Sequence, residues 1–130
     1  MADNKATLDE VKAFLNEFHQ KARVFGITYN NDKEENMQTL LDLELPSNKR
    51  DEYILNLLPE DYYQGPSDNE YGEDEGPVWM FGIGIKKKGK GKKIPIYIKI
   101  YITKYANTST YCISFHKAKF EMIFPYKIRL

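Results

Sequence analysis

The stretch IPIYIKIYITKY, residues 94–105, alternates apolar and polar side chains along most of its length. Successive side chains of a strand point to opposite faces of its sheet, so this pattern predicts a β-strand with one buried face. Ile98, Ile100 and Ile102 would share the buried face. The opposite face would carry Tyr97, Lys99, Tyr101 and Thr103.

Two neighbouring stretches have the same period. VWMFGIGIK, residues 78–86, places large apolar side chains at every second position, and YCISFHKAKF, residues 111–120, alternates over its first half. Three such stretches with short polar connections favour antiparallel pairing. A turn is expected at residues 106–109, and residues 120–128 would add an edge strand, where Pro125 is tolerated.

The N-terminal part has helical periodicity instead. Thr7 and Glu10 form a T-x-x-E capping box, and apolar residues then recur at spacings of three and four, which predicts a first helix. Met37 and the leucines that follow it indicate a second helix. Ser47 can cap a third helix, which would run to about Leu58.

Helices followed by antiparallel strands predict an α+β fold, with N-terminal helices packed on one face of a twisted antiparallel β-sheet. A chain of 130 residues fits one domain. Within it we expect a helical part at about 7–58, with a short strand or an extended segment at 23–29, then an acidic loop at 59–77 and a β part at 78–128.

Charge is divided unevenly along a chain whose net charge is +0. Residues 1–77 contain 18 acidic and 7 basic residues, whereas residues 78–130 contain 12 basic residues and one acid, Glu121. Such asymmetry favours an anionic partner for the basic half. The alternative is that the two halves neutralise each other in the folded protein.

Two stretches concentrate these charges. Residues 58–77 include five acids between Asp68 and Glu75, which is typical of a solvated loop; an alternative is that the stretch guards the basic half. The tract KKKGKGKK, residues 86–93, is expected to be a flexible cationic hairpin between two strands. It would either serve solubility or contact phosphate groups, which gives affinity without sequence specificity.

Several classes of protein and site are disfavoured. No apolar run approaches the roughly 18 residues of a membrane span, and the stretch MADNKATLDE lacks the apolar core of a signal peptide. Cys112 is the single cysteine, so an internal disulfide is excluded, and a cytoplasmic protein without a membrane partner is expected. The two histidines have no ligand spacing and the lysine tract lacks the nucleotide-binding patterns, so no metal or cofactor is expected. His19 is expected at the surface.

The polar strand face and the end of the following strand combine residue types that suit RNA chemistry. Tyr97 and Tyr101 can stack on unpaired bases, and Lys99 can hold a phosphate. His116 can transfer a proton near neutral pH. RNA cleavage without a metal needs a base for the ribose 2′-OH, cations for the phosphorane and an acid for the leaving 5′ oxygen. The alternative is an ordinary half-exposed sheet face of Tyr and Lys pairs.

Five segments occur in a characteristic order: LDEVK in the first helix, then YILNLLPEDYYQ, VWMF, YIKIYI and YCISFHK. They resemble the MqsR-type toxins of toxin–antitoxin systems, which belong to the RelE-like group of mRNA interferases. The pattern of that family is a helix leading into D-F-Y-K, then W-Q-D-V, Y-[LV]-K and S-F-K. The resemblance covers most of residues 7–117 and implies a RelE-like α+β fold.

The resemblance also implies positions for the catalytic groups. The lysine after D-F-Y falls on Gln64, and the glutamine after Trp falls on Met80. The tyrosine of Y-[LV]-K is kept as Tyr97, and the lysine of S-F-K falls on His116, or on Lys117 if the pairing slips by one residue. The predicted catalytic residues are therefore His116, Tyr97, Gln64 and Tyr63, and the predicted RNA-binding residues are Lys99, Tyr101, Lys92, Lys93 and Lys117.

The expected function is a metal-independent endoribonuclease that cleaves single-stranded mRNA and acts as the toxin of a pair, with a cognate antitoxin as its protein partner. Gln64 and Met80, in place of the polar groups of the family, favour a rival class: a non-catalytic RNA- or protein-binding module that has kept the toxin fold. A third alternative is a protein that binds an acidic partner through the lysine tract, in a salt-sensitive manner.

Overall fold

A computed structural model of the protein describes residues 5–72, 75–104 and 109–127. These residues form three α-helices, one short 3-10 helix and a five-stranded mixed sheet, which agrees with the predicted α+β class. The helices are α1 (Leu8–Phe25), α2 (Glu34–Leu43) and α3 (Lys49–Leu55), with the 3-10 helix at Pro59–Asp61. The strands are β1 (Ile27–Tyr29), β2 (Tyr62–Ser67), β3 (Val78–Lys87), β4 (Lys90–Ile102) and β5 (Thr110–Lys117). No helix in the described ranges is long and apolar enough to cross a membrane.

Helix α1 begins where the capping box predicts. The Thr7 hydroxyl accepts a hydrogen bond from the Glu10 N–H (3.2 Å), and the Glu10 carboxylate accepts one from the Thr7 N–H (2.8 Å). These bonds satisfy backbone donors that the start of a helix leaves without an intrahelical partner. The apolar stripe of α1 packs on β3, where the Phe14 ring stacks on Trp79 with 4.4 Å between ring centroids.

Helix α3 is shorter than predicted, since it begins after Asn48 and ends at Leu55 instead of near Leu58. His19 of α1 joins the two helices. Its Nε2–H donates to the Ile54 carbonyl oxygen at 2.8 Å, and its side chain is half-buried. The expectation of a surface histidine is therefore wrong, because α3 packs over this side of α1.

The strand order in the sheet is β1-β5-β4-β3-β2. Strands β3 to β5 form the expected antiparallel meander, and β2 extends it. β1 pairs in parallel with residues 110–112 of β5, so the expectation of a purely antiparallel sheet is wrong. β1 and β5 are far apart in sequence, and no tight hairpin imposes antiparallel pairing on them. The alternation of β4 is confirmed, because Ile96, Ile98 and Ile100 are all 0% exposed in the core.

The lysine tract is part of the sheet. The predicted hairpin between two strands is confirmed, and β3 and β4 continue through the tract and pair as far as Lys87 and Lys90. The connection consists of Lys88 and Gly89 alone, with φ angles of 48° and 70°. Positive φ at both positions is characteristic of the type I′ turn, whose twist matches a two-residue hairpin.

Two other predicted boundaries are wrong. The expected acidic loop at 59–77 contains β2, which pairs with β3 with shifts in register. Gly65 permits the close approach of these strands, since a Cβ there would lie 2.7 Å from the Val78 carbonyl oxygen. Residues 118–127 form an irregular segment instead of the expected edge strand. Residues 106–108 of the expected turn lie outside the described residues.

Helix α2 covers the part of the β5 edge that β1 does not reach. The Asn36 side chain donates to the Ile113 carbonyl (2.9 Å) and accepts from the Phe115 N–H (3.1 Å). The Thr39 hydroxyl accepts from the Lys117 N–H at 2.9 Å. Two side chains thus pair with backbone groups that would otherwise need another strand.

This packing changes the buried face of α2 from the predicted one. Polar side chains point at the β5 edge, and two of the predicted apolar positions, Met37 and Leu41, are exposed. Leu40 and Leu43 are buried as expected. Helix α1 therefore packs on the core face of the sheet, whereas α2 packs along the edge of β5.

Candidate functional site

The sheet has a second face, opposite the core face that α1 covers. Residues directly opposite each other in antiparallel strands point to the same side. Two rows of three residues therefore cross β3, β4 and β5 on this second face: Met80–Lys99–Ser114 and Gly82–Tyr97–His116. The register brings three of the predicted site residues together near the centre of the sheet.

His116 and Tyr97 are cross-strand neighbours whose rings lie 5.4 Å apart between centroids. His116 is 7% exposed, and its Nδ1 lies 2.9 Å from the Lys117 carbonyl oxygen. A carbonyl oxygen can only accept a hydrogen bond, so Nδ1 carries the proton of the neutral ring and Nε2 keeps a lone pair. The neutral His116 side chain is therefore arranged to accept a proton at Nε2.

Tyr97 is half-buried, and burial raises the pKa of its hydroxyl to about 12, with smaller contributions from Tyr63 and Glu70. The hydroxyl consequently stays protonated near neutral pH and is available as a hydrogen-bond donor. Tyr63 of β2 lies on the same side of the sheet. The centroid of the Phe120 ring is 6.0 Å from that of Tyr63 and 6.1 Å from that of Tyr97. Tyr63, Tyr97 and His116 therefore belong to one connected group.

Two lysines approach Ser114 from different elements. Lys99 is opposite Ser114 in the β4–β5 pairing, and the Lys33 Nζ donates to the Ser114 hydroxyl at 3.4 Å. Burial lowers the pKa of Lys99, and the positive charge of Lys33 lowers it further. Two cations that repel each other beside a hydroxyl form a favourable position for an anion.

Sequence analysis did not identify Lys33. It precedes α2, and 81 positions separate it from Ser114. No spacing or periodicity connects a residue before a helix with the middle of a distant strand. The contact depends on how α2 packs along the β5 edge, which a single sequence does not reveal.

The acidic segment, residues 68–72 and 75–77, lies against one end of the second face. The Glu75 carboxylate accepts hydrogen bonds from the Thr103 hydroxyl (2.8 Å) and the Tyr101 hydroxyl (3.3 Å). The Glu70 carboxylate is 4.0 Å from the Lys99 Nζ. These contacts agree with the alternative that the acidic stretch guards the basic half.

Tyr101 has a different environment from Tyr97. Its ring is 4% exposed and stacks on Tyr111 with 5.0 Å between centroids. Burial raises the pKa of its hydroxyl, and the Glu75 carboxylate raises it further. Its predicted contact with RNA stays a prediction, and it would require the acidic segment to move.

The other predicted catalytic positions lie beside this centre. Gln64 is opposite Met80 in the pairing of β2 and β3, and it lines a cavity of about 350 Å³ together with Tyr63 and Lys5. Met80 is 5% exposed and packs with Val78 and other apolar side chains of the second face. Its position is consequently a packing position, without a polar group.

The three remaining predicted RNA-binding lysines differ in their surroundings. Lys92 and Lys93 are exposed on the first half of β4, and no ion pair within the described ranges includes either of them. Lys117 pairs with the Asp42 carboxylate at 2.6 Å. Lys87 and Lys88 of the same tract pair with Glu44, at 3.4 and 2.9 Å. The two halves of the chain therefore neutralise each other in part.

Within residues 5–72, 75–104 and 109–127, no group of three or more His, Cys, Asp or Glu side chains is placed to hold a metal ion. Comparison of the chain with protein-family models, with curated proteins and with solved structures found no match.

Proposed function

We propose that the protein is an endoribonuclease that cleaves single-stranded mRNA with its own side chains, as the toxin of a toxin–antitoxin pair. The observation that carries the proposal is the adjacency of a proton acceptor, His116, to a two-lysine anion position at Lys99 and Lys33. His116 and Lys99 lie on the second face of the sheet, and Lys33 reaches Ser114 on the same face from the start of α2.

The proposed reaction begins at the ribose 2′-OH. His116 Nε2 takes its proton, and the 2′ oxygen attacks the adjacent phosphorus. Lys99 and Lys33 stabilise the charge of the phosphorane. Lys99, whose pKa burial lowers, then gives a proton to the 5′ oxygen as the P–O5′ bond breaks. The products are a 2′,3′-cyclic phosphate and a free 5′-hydroxyl end.

Tyr97 and Tyr63 have supporting roles in this proposal. The protonated Tyr97 hydroxyl donates a hydrogen bond to a phosphate oxygen next to His116. Tyr63 offers its ring beside Phe120, which also contacts Tyr97, and Gln64 contributes an amide on the adjoining strand edge. Lys92, Lys93 and Lys117 attract the phosphates of the rest of the strand.

The proposal includes a RelE-like fold with the helices on one face of the sheet, a cytoplasmic location and a cognate antitoxin. The packing of α1 on the core face supports the fold, and the position of α2 along the β5 edge departs from it. The neighbouring open reading frame is the simplest test of the partner. A neighbour without any antitoxin-like or DNA-binding character would count against a toxin.

A second function, a non-catalytic RNA- or protein-binding module, is favoured by two observations. Met80 occupies a family catalytic position and is buried among apolar side chains. His116 is also largely buried, so a substrate has only a narrow approach to its ring. A third candidate function is the binding of an acidic protein through the lysine hairpin, residues 86–93. This association would be sensitive to salt, and RNA would not affect it.

Cleavage of a long single-stranded RNA in EDTA distinguishes these functions. The parent protein should cut the RNA, and His116→Ala should slow cleavage by about 10²–10⁴-fold, the usual effect of losing a positioned proton-transfer group. His19→Gln is the matched control, because it removes the other histidine and keeps an N–H donor towards Ile54. RNA that stays intact at high protein concentration would favour the binding module. A His116→Ala protein as active as His19→Gln would remove His116 from the mechanism.

A further inference from the structure

A row of aromatic rings leads away from His116 across the second face. Consecutive centroids are separated by 5.4 Å from His116 to Tyr97, 6.1 Å to Phe120, 6.0 Å to Tyr63 and 6.5 Å to Phe124. Phe120 is 54% exposed, although the side chain is large and apolar. Tyr97, Tyr63 and Phe124 are half-buried, so Phe120 is the exposed ring of the row. An exposed aromatic ring is a surface on which an unpaired base can stack.

The row borders a groove of about 340 Å³ between the sheet and residues 118–127. Gly82 and Gly84 of β3 are among its lining residues. A Cβ at Gly82 would lie 2.6 Å from the Met122 side chain and 2.8 Å from the Phe124 ring, so the ends of these two side chains pack directly against β3 at this position. The volume falls within the usual range for ligand pockets, which begins near 300 Å³.

The charges at the groove favour a polyanion. Its charged lining residues are Lys93, Lys127 and Glu121. The Lys127 Nζ is 5.0 Å from the centroid of the Phe124 ring, and no ion pair in the described parts of the chain includes Lys93 or Lys127. Phosphates on the lysines and a base on the rings would satisfy the cationic and the aromatic parts of the groove together.

The geometry points to a nucleobase-binding site in this groove, in which Phe120 stacks on the base of a nucleotide next to the scissile phosphate and Lys93 and Lys127 hold its phosphates. This inference rests on the proposed function in one respect: the ligand is single-stranded RNA. It assigns a role to the segment after β5, which extends beyond every part of the chain that resembles the toxin family. The continuous row of rings from His116 to Phe124 connects the site to the proposed reaction centre.

The test compares Phe120→Ala with Ile123→Ala. Ile123 lies in the same segment and is 67% exposed, so its replacement removes a similar apolar surface without removing an aromatic ring. The probes are two short fluorescent 2′-O-methyl RNA oligonucleotides of equal length, one with all its bases and one with abasic positions. Because 2′-O-methylation blocks the attacking oxygen, neither probe is cleaved.

The parent protein and Ile123→Ala should bind the complete oligonucleotide more tightly than the abasic one. Phe120→Ala should weaken binding of the complete oligonucleotide by about 5- to 150-fold, the effect of losing one base–aromatic stack. Its binding of the abasic oligonucleotide should stay the same. Phe120→Trp should keep the preference for bases, which excludes a general disturbance of the segment.

The outcomes separate this inference from the proposed function. If the parent binds or cleaves RNA but Phe120→Ala behaves like Ile123→Ala, the base site is refuted and the proposed function is unaffected. Equal binding of complete and abasic oligonucleotides by the parent refutes it in the same way. If the parent neither binds nor cleaves RNA, and an acidic peptide alone binds the groove, the proposed function and the base site are both refuted.

Discussion

The covering of the β5 edge by α2 gives the sharpest prediction about stability. The Asn36 side chain is 2% exposed and makes three hydrogen bonds, at 2.9 Å to the Ile113 carbonyl, 2.9 Å to the Asn30 carbonyl and 3.1 Å from the Phe115 N–H. Asn36→Leu keeps the approximate volume of the side chain and removes all three bonds. The backbone of β5 would then have an unpaired carbonyl and an unpaired N–H beside a buried leucine.

The size of the loss follows from these groups. A buried polar group that loses its partner costs about 1–3 kcal/mol, and the two β5 groups are both buried by α2. The Asn30 carbonyl is half-buried and can bind water, so it adds little. Apolar burial of the leucine offsets part of the loss. We expect the free energy of unfolding to fall by about 3 kcal/mol, a large fraction of the roughly 5–15 kcal/mol typical of a domain.

Urea denaturation followed by the fluorescence of Trp79 measures this change. Gln38→Leu is the matched control, because it makes the same amide-to-leucine replacement on the exposed side of α2, where Gln38 donates to Asp42. The control should stay within about 0.5 kcal/mol of the parent. An Asn36→Leu protein as stable as the control would refute the claim that side chains of α2 take the place of a strand. Because Asn36 and Thr39 bond to β5 on both sides of His116, a confirmed loss would also link this edge to the candidate site.

Three further predictions concern charge and pH. Burial lowers the pKa of His19 in the folded protein. As pH falls below about 6.5, the unfolded state is therefore protonated before the folded state, and the free energy of unfolding should decrease. His19→Gln should reduce this pH dependence in urea titrations. If Lys99 is the proton donor, cleavage should decline on the alkaline side through its lowered pKa. Lys99→Arg keeps the positive charge but supplies no proton, so it should lower the rate and remove that decline from a rate profile. Glu70→Gln removes a carboxylate 4.0 Å from the Lys99 Nζ, so RNA should bind about two- to fivefold more tightly in anisotropy titrations; unchanged affinity would mean that the acidic segment does not compete with RNA.

The sequence predicts those parts of the fold that depend on local patterns. The T-x-x-E box defines the start of α1, and the alternation of residues 94–105 defines β4 and its buried isoleucines. The sequence does not indicate β2, because Gly65 and Pro66 interrupt a short stretch that has no alternation. This stretch is a strand because it pairs with β3. The parallel pairing of β1 depends on the return of a distant strand, which local pattern does not encode.

The residues of the candidate site likewise include some that the sequence indicates and some that it does not. Tyr97 and His116 are neighbours because the register of one hairpin places them opposite each other, and the sequence indicates that hairpin. Lys33 and Phe120 come to the same face from outside the hairpin, through the packing of α2 and of the segment after β5. Such contacts between distant segments have no signature in the spacing of residues.

The charge asymmetry of the sequence becomes an asymmetry of the surface. The acids that pair with the lysine hairpin, with the end of β5 and with Lys119 after it all belong to α2 or follow it directly: Glu35, Asp42 and Glu44. They neutralise the side of the sheet on which α2 lies. The groove has Lys93 and Lys127 against one acid, Glu121, so the positive charge remains on that side. If the two halves served only to neutralise each other, acids would be expected on both sides of the hairpin. Glu70 and Glu75 lie against the second face, so the groove with Lys93 and Lys127 is the position where, under the proposed function, an anionic strand would gain most from binding.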